Sequence, residues 1–299
     1  MKESKKGALF ILISALMFGS YGVWSKLMSS SFGNFFQAWT RALIIVILLL
    51  PILLWKKQIV SIDRKDWTWL TLFLIFTSFT QAPLFYAFNH MDIGSATLLF
   101  FISMILTMYT VGILFLGEKL TKVKLISLVL AVIGLSIVFS FSLVTFSLLA
   151  ALLAILNGIA SGGEVSFSKK LSGNYSPVYI TWLSWLIILI SNGIISLSLG
   201  ETQYLPSLSI VWIYQLGYTL CSLLGFWLII KGLKYTEASI GGVIGLLEII
   251  FSIVLGVIIF HETLTPKVII GAFLIIFAAT LPNVQDIHQK ISKKSTNER

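Results

Sequence analysis

Charge is what this sequence has least of. Asp, Glu, Lys and Arg make up 11% of its 299 residues, under half the roughly 25% of an ordinary soluble domain. Hydrophobic residues take 57%. So few charges cannot cover a water-soluble fold of this size. Disorder, which needs charge and few aromatics, is excluded too. The single cysteine, Cys221, leaves no internal disulfide to form and gives no reading of redox compartment. Six prolines exclude a proline-rich linker protein. His90, His261 and His288 are far apart and carry no metal-ligand spacing. No GxxxxGK[ST] loop is present to cradle a phosphate.

What the sequence has instead is long apolar runs. A helix needs about 20 mostly apolar residues to cross a bilayer. Ten segments meet that need, at roughly 7–28, 35–55, 67–88, 94–116, 122–141, 146–168, 177–199, 210–230, 237–260 and 266–281. They are continuously apolar, without the alternation of a membrane strand. The run after Lys2, Lys5 and Lys6 starts like a signal peptide. It is too long for an h-region and ends in no cleavage site, so it reads as an uncleaved first span.

The net charge of +9 is explained by where the basic residues fall. They lie between the apolar runs, which points to topology and not to nucleic acid. With the N-terminus placed in the cytoplasm, eighteen Lys and Arg fall inside and two, Lys26 and Lys267, outside; Arg41 lies within the second span. This bias predicts both termini cytoplasmic in the plasma membrane.

The chain also repeats itself. LGEKLT at 116–121 matches FHETLT at 260–265 at an offset of 144. The same offset pairs Gly112 with Gly256, Ser95 with Ser239, Gly19 with Gly163, and Lys26-Leu27 with Lys170-Leu171. The expected organisation is a five-helix unit at 1–144, a second at 145–285 and a basic cytoplasmic tail at 286–299. Five is odd, so the second unit enters the membrane inverted. Such inverted repeats recur in secondary transporters.

These motifs, each closing the fourth span of a five-span unit, resemble the drug/metabolite transporter superfamily, and specifically its EamA-type members. Arg41, the Tyr86–Ala96 turn and the Leu246–Glu248 segment add to the resemblance, which covers nearly the whole chain. The proline that the family places in spans four and nine is absent here, where the chain reads Ser103-Met104-Ile105 and Glu248-Ile249. The resemblance implies secondary transport of small metabolites, often export, without ATP or another cofactor.

A charge inside a span is costly and faces a cavity or a partner. Three lie there. Glu248 shares a helix face with Gly241, Gly245, Ser252 and Gly256. It reads as a cavity carboxyl for substrate or proton, against a packed seam. Glu164 lies in a stripe with Asn157, Ser161 and Ser168. That stripe is either an interhelical seam or a pathway lining. Arg41, with Gln37 one turn away, either snorkels to the outer headgroups or meets a carboxylate. Gln81, followed by Pro83, is a further candidate, as are Gln215 and Tyr218. Glu118 and Glu262 read as helix-turn chemistry, with Thr121 and Thr265 as N-caps and Lys122 as the partner of Glu118. Trp67, Trp69 and Trp212 read as interfacial anchors, and Trp182 and Trp185, at the start of a span, can be read the same way.

The expected function is a gradient- or proton-linked exporter of a small metabolite, an amino acid or related amphiphile, as monomer or dimer. A transporter of quaternary amines or cationic drugs is the alternative, since aromatic faces with a carboxylate suit a cation. A membrane enzyme is disfavoured because no nucleophile–base set is visible. Reporter fusions at residues 60, 173 and 290 should report from the cytoplasm, and those at 31, 143, 204 and 264 from outside. An outside signal at 60 or 173 would overturn the ten-span topology.

Overall fold

A computed structural model describes residues 2–28, 31–139, 147–261 and 263–297, with side chains at 5–28, 31–139, 147–261 and 263–282. The calls on Glu262, on residue 143 and on the basic side chains of the tail lie outside it. The elements are helical: α1 (Lys2–Gly19), α2 (Tyr21–Met28), α3 (Asn34–Trp55), α4 (Trp67–Ser78), α5 (Ala82–His90), α6 (Ile93–Leu116), α7 (Lys122–Val138), α8 (Leu148–Leu171), α9 (Pro177–Ser198), α10 (Ile210–Leu233), α11 (Ala238–Gly245), α12 (Leu247–Phe260) and α13 (Pro266–Asn297). Three pairs join end to end, so the helices form ten rods. Eight rods are long and apolar enough to cross a membrane; Pro266–Pro282 is a shorter apolar helix, and α7 has 17 residues.

The breaks within rods have local causes. Between α4 and α5 the chain leaves the helix at Phe79–Gln81. Pro83 has no N–H to offer the Phe79 carbonyl one turn back. The side-chain amide of Asn157 on α8 donates to that carbonyl at 2.9 Å instead. The ninth rod breaks where α11 meets α12 at Leu246. The equivalent fourth rod, α6, runs unbroken.

The rods pack in a pattern with two-fold character. The first rod lies against α10 and against α11–α12, while α8 lies against α4–α5 and against α6. Rods of equal rank in the two halves pair directly, α3 with α9 and α7 with α13. Facing residues give the direction. Gly134 opposes Gly271, and the Ser127 hydroxyl donates to the Ala278 carbonyl at 2.5 Å, so α7 and α13 run antiparallel. Trp182 Nε1 donates to the Val46 carbonyl while Gly193 faces Trp39, so α3 and α9 are antiparallel too.

Small residues set the spacing, because lipid tails give helices no hydrophobic reason to associate and backbones must come close instead. A methyl group at Gly162 would stand 2.5 Å from the Met104 carbonyl oxygen, and one at Gly134 2.9 Å from that of Gly271. Beside Gly245, by contrast, a methyl would meet nothing within 4 Å. Gly162→Ala should therefore force α6 and α8 apart and lower the melting temperature and yield of purified protein, and Gly245→Ala should leave both near wild type. Equal behaviour of the two variants would contradict the packing.

Candidate functional site

The LGE turn shows how local sequence places a distant contact. Gly117 takes a left-handed φ of 70°, which a side chain resists. The chain doubles back there, and the Glu118 N–H donates to the Gly112 carbonyl at 2.9 Å. His261 adopts the same conformation at the matching point of the second half, with φ 55°. A Cβ at Gly112 would sit 2.7 Å from the Glu118 carboxylate, so that glycine makes room for it.

Glu118 corrects the sequence-based expectation. Its partner is not Lys122. The carboxylate accepts from Lys169 Nζ at 3.0 Å, from the Ser239 N–H at 3.0 Å, from the Ser239 hydroxyl at 2.6 Å and from the Ala238 N–H. It therefore caps the first turn of α11 from the turn that follows α6, where orphan N–H groups and the helix dipole favour an anion. Lys169 also donates to the Thr236 carbonyl at 2.8 Å, and Lys124 pairs with Glu237 beside it. This cluster ties α6, α8 and α11 together at one end of the bundle. Thr121 does cap α7, accepting from the Lys124 N–H at 3.3 Å.

Arg41 also departs from the snorkelling reading. It is 1% exposed, among the largest fully buried side chains. Its guanidinium lies 4.0 Å from the ring centre of Tyr218, 5.3 Å from that of Trp185 and 5.4 Å from that of Tyr21. Those rings come from α10, α9 and α2, so four rods meet at this cation. Aromatic faces attract a cation, but they accept none of its hydrogen bonds in the plane of the guanidinium. Among the described residues Nε and Nη1 of Arg41 have no hydrogen-bond partner, and neither has Nε1 of Trp185. Trp185, at 3% exposure, is thus not an interfacial anchor. Nor is Trp212, which packs on Phe32 and Phe36. Trp69 packs against Phe115 and Phe167 under Lys170.

The remaining candidates sort by their partners. Gln215 is buried and its amide donates to the Gln37 carbonyl and the Thr40 hydroxyl, each at 2.8 Å, clamping α10 to α3. Asn157 supports the Phe79 carbonyl, and Gln81 lies at the break beside it. Glu164 is buried and accepts from the Ser184 hydroxyl at 2.6 Å, one residue from Trp185. Tyr218 lies under Arg41. Glu248, in the first turn of α12, is half-buried and makes no hydrogen bond or ion pair among the described residues. Arg41, Tyr218 and the neighbours of Glu164 therefore belong to one region, while Gln215 and Asn157 hold helices together. Among the described residues no group of His, Cys, Asp and Glu has the makings of a metal site.

These features define a multi-pass helical membrane protein built from two like halves. The EamA-like transporter family matches residues 5–140 and again 148–283. The chain belongs to that family, a family of membrane transporters of small molecules. A solved structure described only as the crystal structure of a protein superposes with a TM-score of 0.77 at 13% identity, over 94% of this chain and 97% of its own. No curated protein matches the sequence.

The Glu118 cluster yields a test at acid pH. Burial raises its pKa, but the Ser239 hydroxyl, Lys169 and the two N–H groups outweigh that and hold it below the ordinary 4.5. A carboxyl depressed in the folded state stabilises above its unfolded pKa, and that stability is lost as pH falls through the folded value. Thermal stability of wild type should drop below about pH 4.5, and Glu118→Gln should flatten that drop. At neutral pH Glu118→Ala, which strands Lys169 and two N–H groups, should cost about 3 kcal/mol. A melting temperature unchanged by Glu118→Ala would refute the cluster's role.

Proposed function

We propose that the protein is a secondary active transporter that exports a small carboxylate-bearing metabolite, an amino acid or related amphiphile, across the plasma membrane by alternating access. The observation that carries this reading is Arg41. A buried guanidinium with unpaired donors is costly in hydrocarbon. A substrate carboxylate would satisfy those donors with charge-assisted hydrogen bonds. Trp185 Nε1 is a further unpaired donor beside it. A quaternary amine fits less well, because the aromatic faces it would need already lie against Arg41.

The halves supply the movement in this reading. Ten crossings with both termini cytoplasmic make the repeats inverted, and the antiparallel pairing of α3 with α9 and α7 with α13 supports that arrangement. Substrate then sits between the halves, as in other inverted-repeat transporters. The breaks at Phe79–Gln81 and Leu246 give the rods points at which to bend. Glu248, next to the second break, has space beside Gly245 one turn earlier. We assign it the coupling proton, with Glu164 as a second titrating candidate.

Transport of labelled amino acids by the purified protein in vesicles, with and without a pH gradient, tests this. Arg41→Gln should weaken transport of the acid roughly 10- to 100-fold, the worth of one charge-assisted hydrogen bond. The decarboxylated amine should be a poor substrate of wild type. Glu248→Gln should keep downhill exchange and lose uphill transport. Equal rates for acid and amine, or a pH profile unchanged in Glu248→Gln, would overturn the assignments.

A further inference from the structure

A second site lies further along α3, α9 and α10, three of the helices that surround Arg41. The C-terminal parts of α3 and α10 and the N-terminal part of α9 form a groove lined by Leu49, Ile52, Val178, Leu223, Leu224 and Trp227, with Lys56 at its rim. Its surface is almost wholly apolar. Lys56 is exposed and has no acidic partner among the described residues. Lys231 stands with Nζ 4.5 Å from the ring centre of Trp227, at the same end. The acids nearest the two lysines in sequence are already engaged, Glu237 by Lys124. Asp66 accepts from Tyr175 and Asn174, and Asp63 pairs with Lys65.

We propose that this groove holds one acyl chain of an anionic phospholipid, with the headgroup phosphate between Lys56 and Lys231. The chemistry is two-part. The groove opens from the apolar flank of a membrane protein, where its natural filling is hydrocarbon. Lys56 is the charged residue of its lining, and Lys231 lies one turn beyond Trp227, between that ring and Phe10. Among the described residues no carboxylate lines the groove. Basic pockets at helix ends hold anionic headgroups in this way. A zwitterionic lipid such as phosphatidylcholine would fill the groove, but its phosphate is already matched by its own quaternary ammonium and would leave the two lysines with unbalanced positive charge. A free phosphate would meet the lysines but leave the groove unfilled. The site is independent of the transport reading.

Native mass spectrometry of the full chain in detergent, titrated with phosphatidylglycerol, phosphatidylcholine or inorganic phosphate, tests the proposal. Phosphatidylglycerol should be retained in preference to phosphatidylcholine, and phosphate alone should not bind measurably. Lys56→Gln with Lys231→Gln should cost about tenfold or more in phosphatidylglycerol affinity, and Lys56→Arg with Lys231→Arg should restore it. Leu223→Trp, which fills the groove and keeps the lysines, should also reduce retention. Equal retention of the two lipids, undiminished retention by the Gln pair or the Leu223→Trp variant, or binding of phosphate alone would each overturn it.

Discussion

Hydrocarbon offers no hydrogen bonds, and that constraint arranges this molecule. A polar group inside a span must find its partner on another helix or carry the cost of having none. Most find one. Ser14 donates to the Gly225 carbonyl, Ser127 to that of Ala278, Asn157 to that of Phe79 and Gln215 to that of Gln37. These bonds run between helices and use backbone oxygens as acceptors. At the α7–α13 contact, Gly134 and Gly271 bring the two backbones within that reach. Serine, asparagine and glycine in the spans are thus parts of a single packing scheme.

Against that background the unsatisfied groups stand out. Among the described residues, buried acceptor oxygens of Asn157, Asn192 and Gln215 and the hydroxyls of Ser166 and Thr236 lack partners. The unpaired nitrogen donors among them are those of Arg41, two of them in a four-rod aromatic cluster, and of Trp185. The aromatic faces lower the cost of burying the charge without using up its hydrogen-bonding capacity. In the proposed reading those open donors are what a substrate carboxylate would meet. Glu118 is the opposite case. Its charge is met by four donors and serves to fix the start of α11.

Much of this was legible in the sequence and some was not. The apolar runs marked nine of the rods to within about five residues, and Pro83 marked the break in the third. The tenth rod, α13, continues as helix to Asn297, well past its apolar stretch. The LGEKLT and FHETLT segments marked two like units, because both must close a helix with a left-handed turn. The partners of Glu118 were hidden by distance, since Lys169 and Ser239 lie 51 and 121 residues away and Lys122 lies nearby. Arg41 stayed open between snorkelling and a buried partner because its depth along the helix fits both, and the rotation of α3 against α9 and α10 is what buries it. Trp185 was hidden by its place near the start of a span, where tryptophan so often marks the interface.

The central claim is that Arg41 receives a carboxylate. It is tested most directly by the intrinsic fluorescence of purified protein carrying Trp185 as its sole tryptophan, titrated with an amino acid and with its methyl ester. A carboxylate site at Arg41 gives a saturable change for the free acid that is lost in Arg41→Gln and absent for the ester, which is one methyl group larger and carries no carboxylate charge. An equal change for acid and ester, persisting in Arg41→Gln, would contradict it.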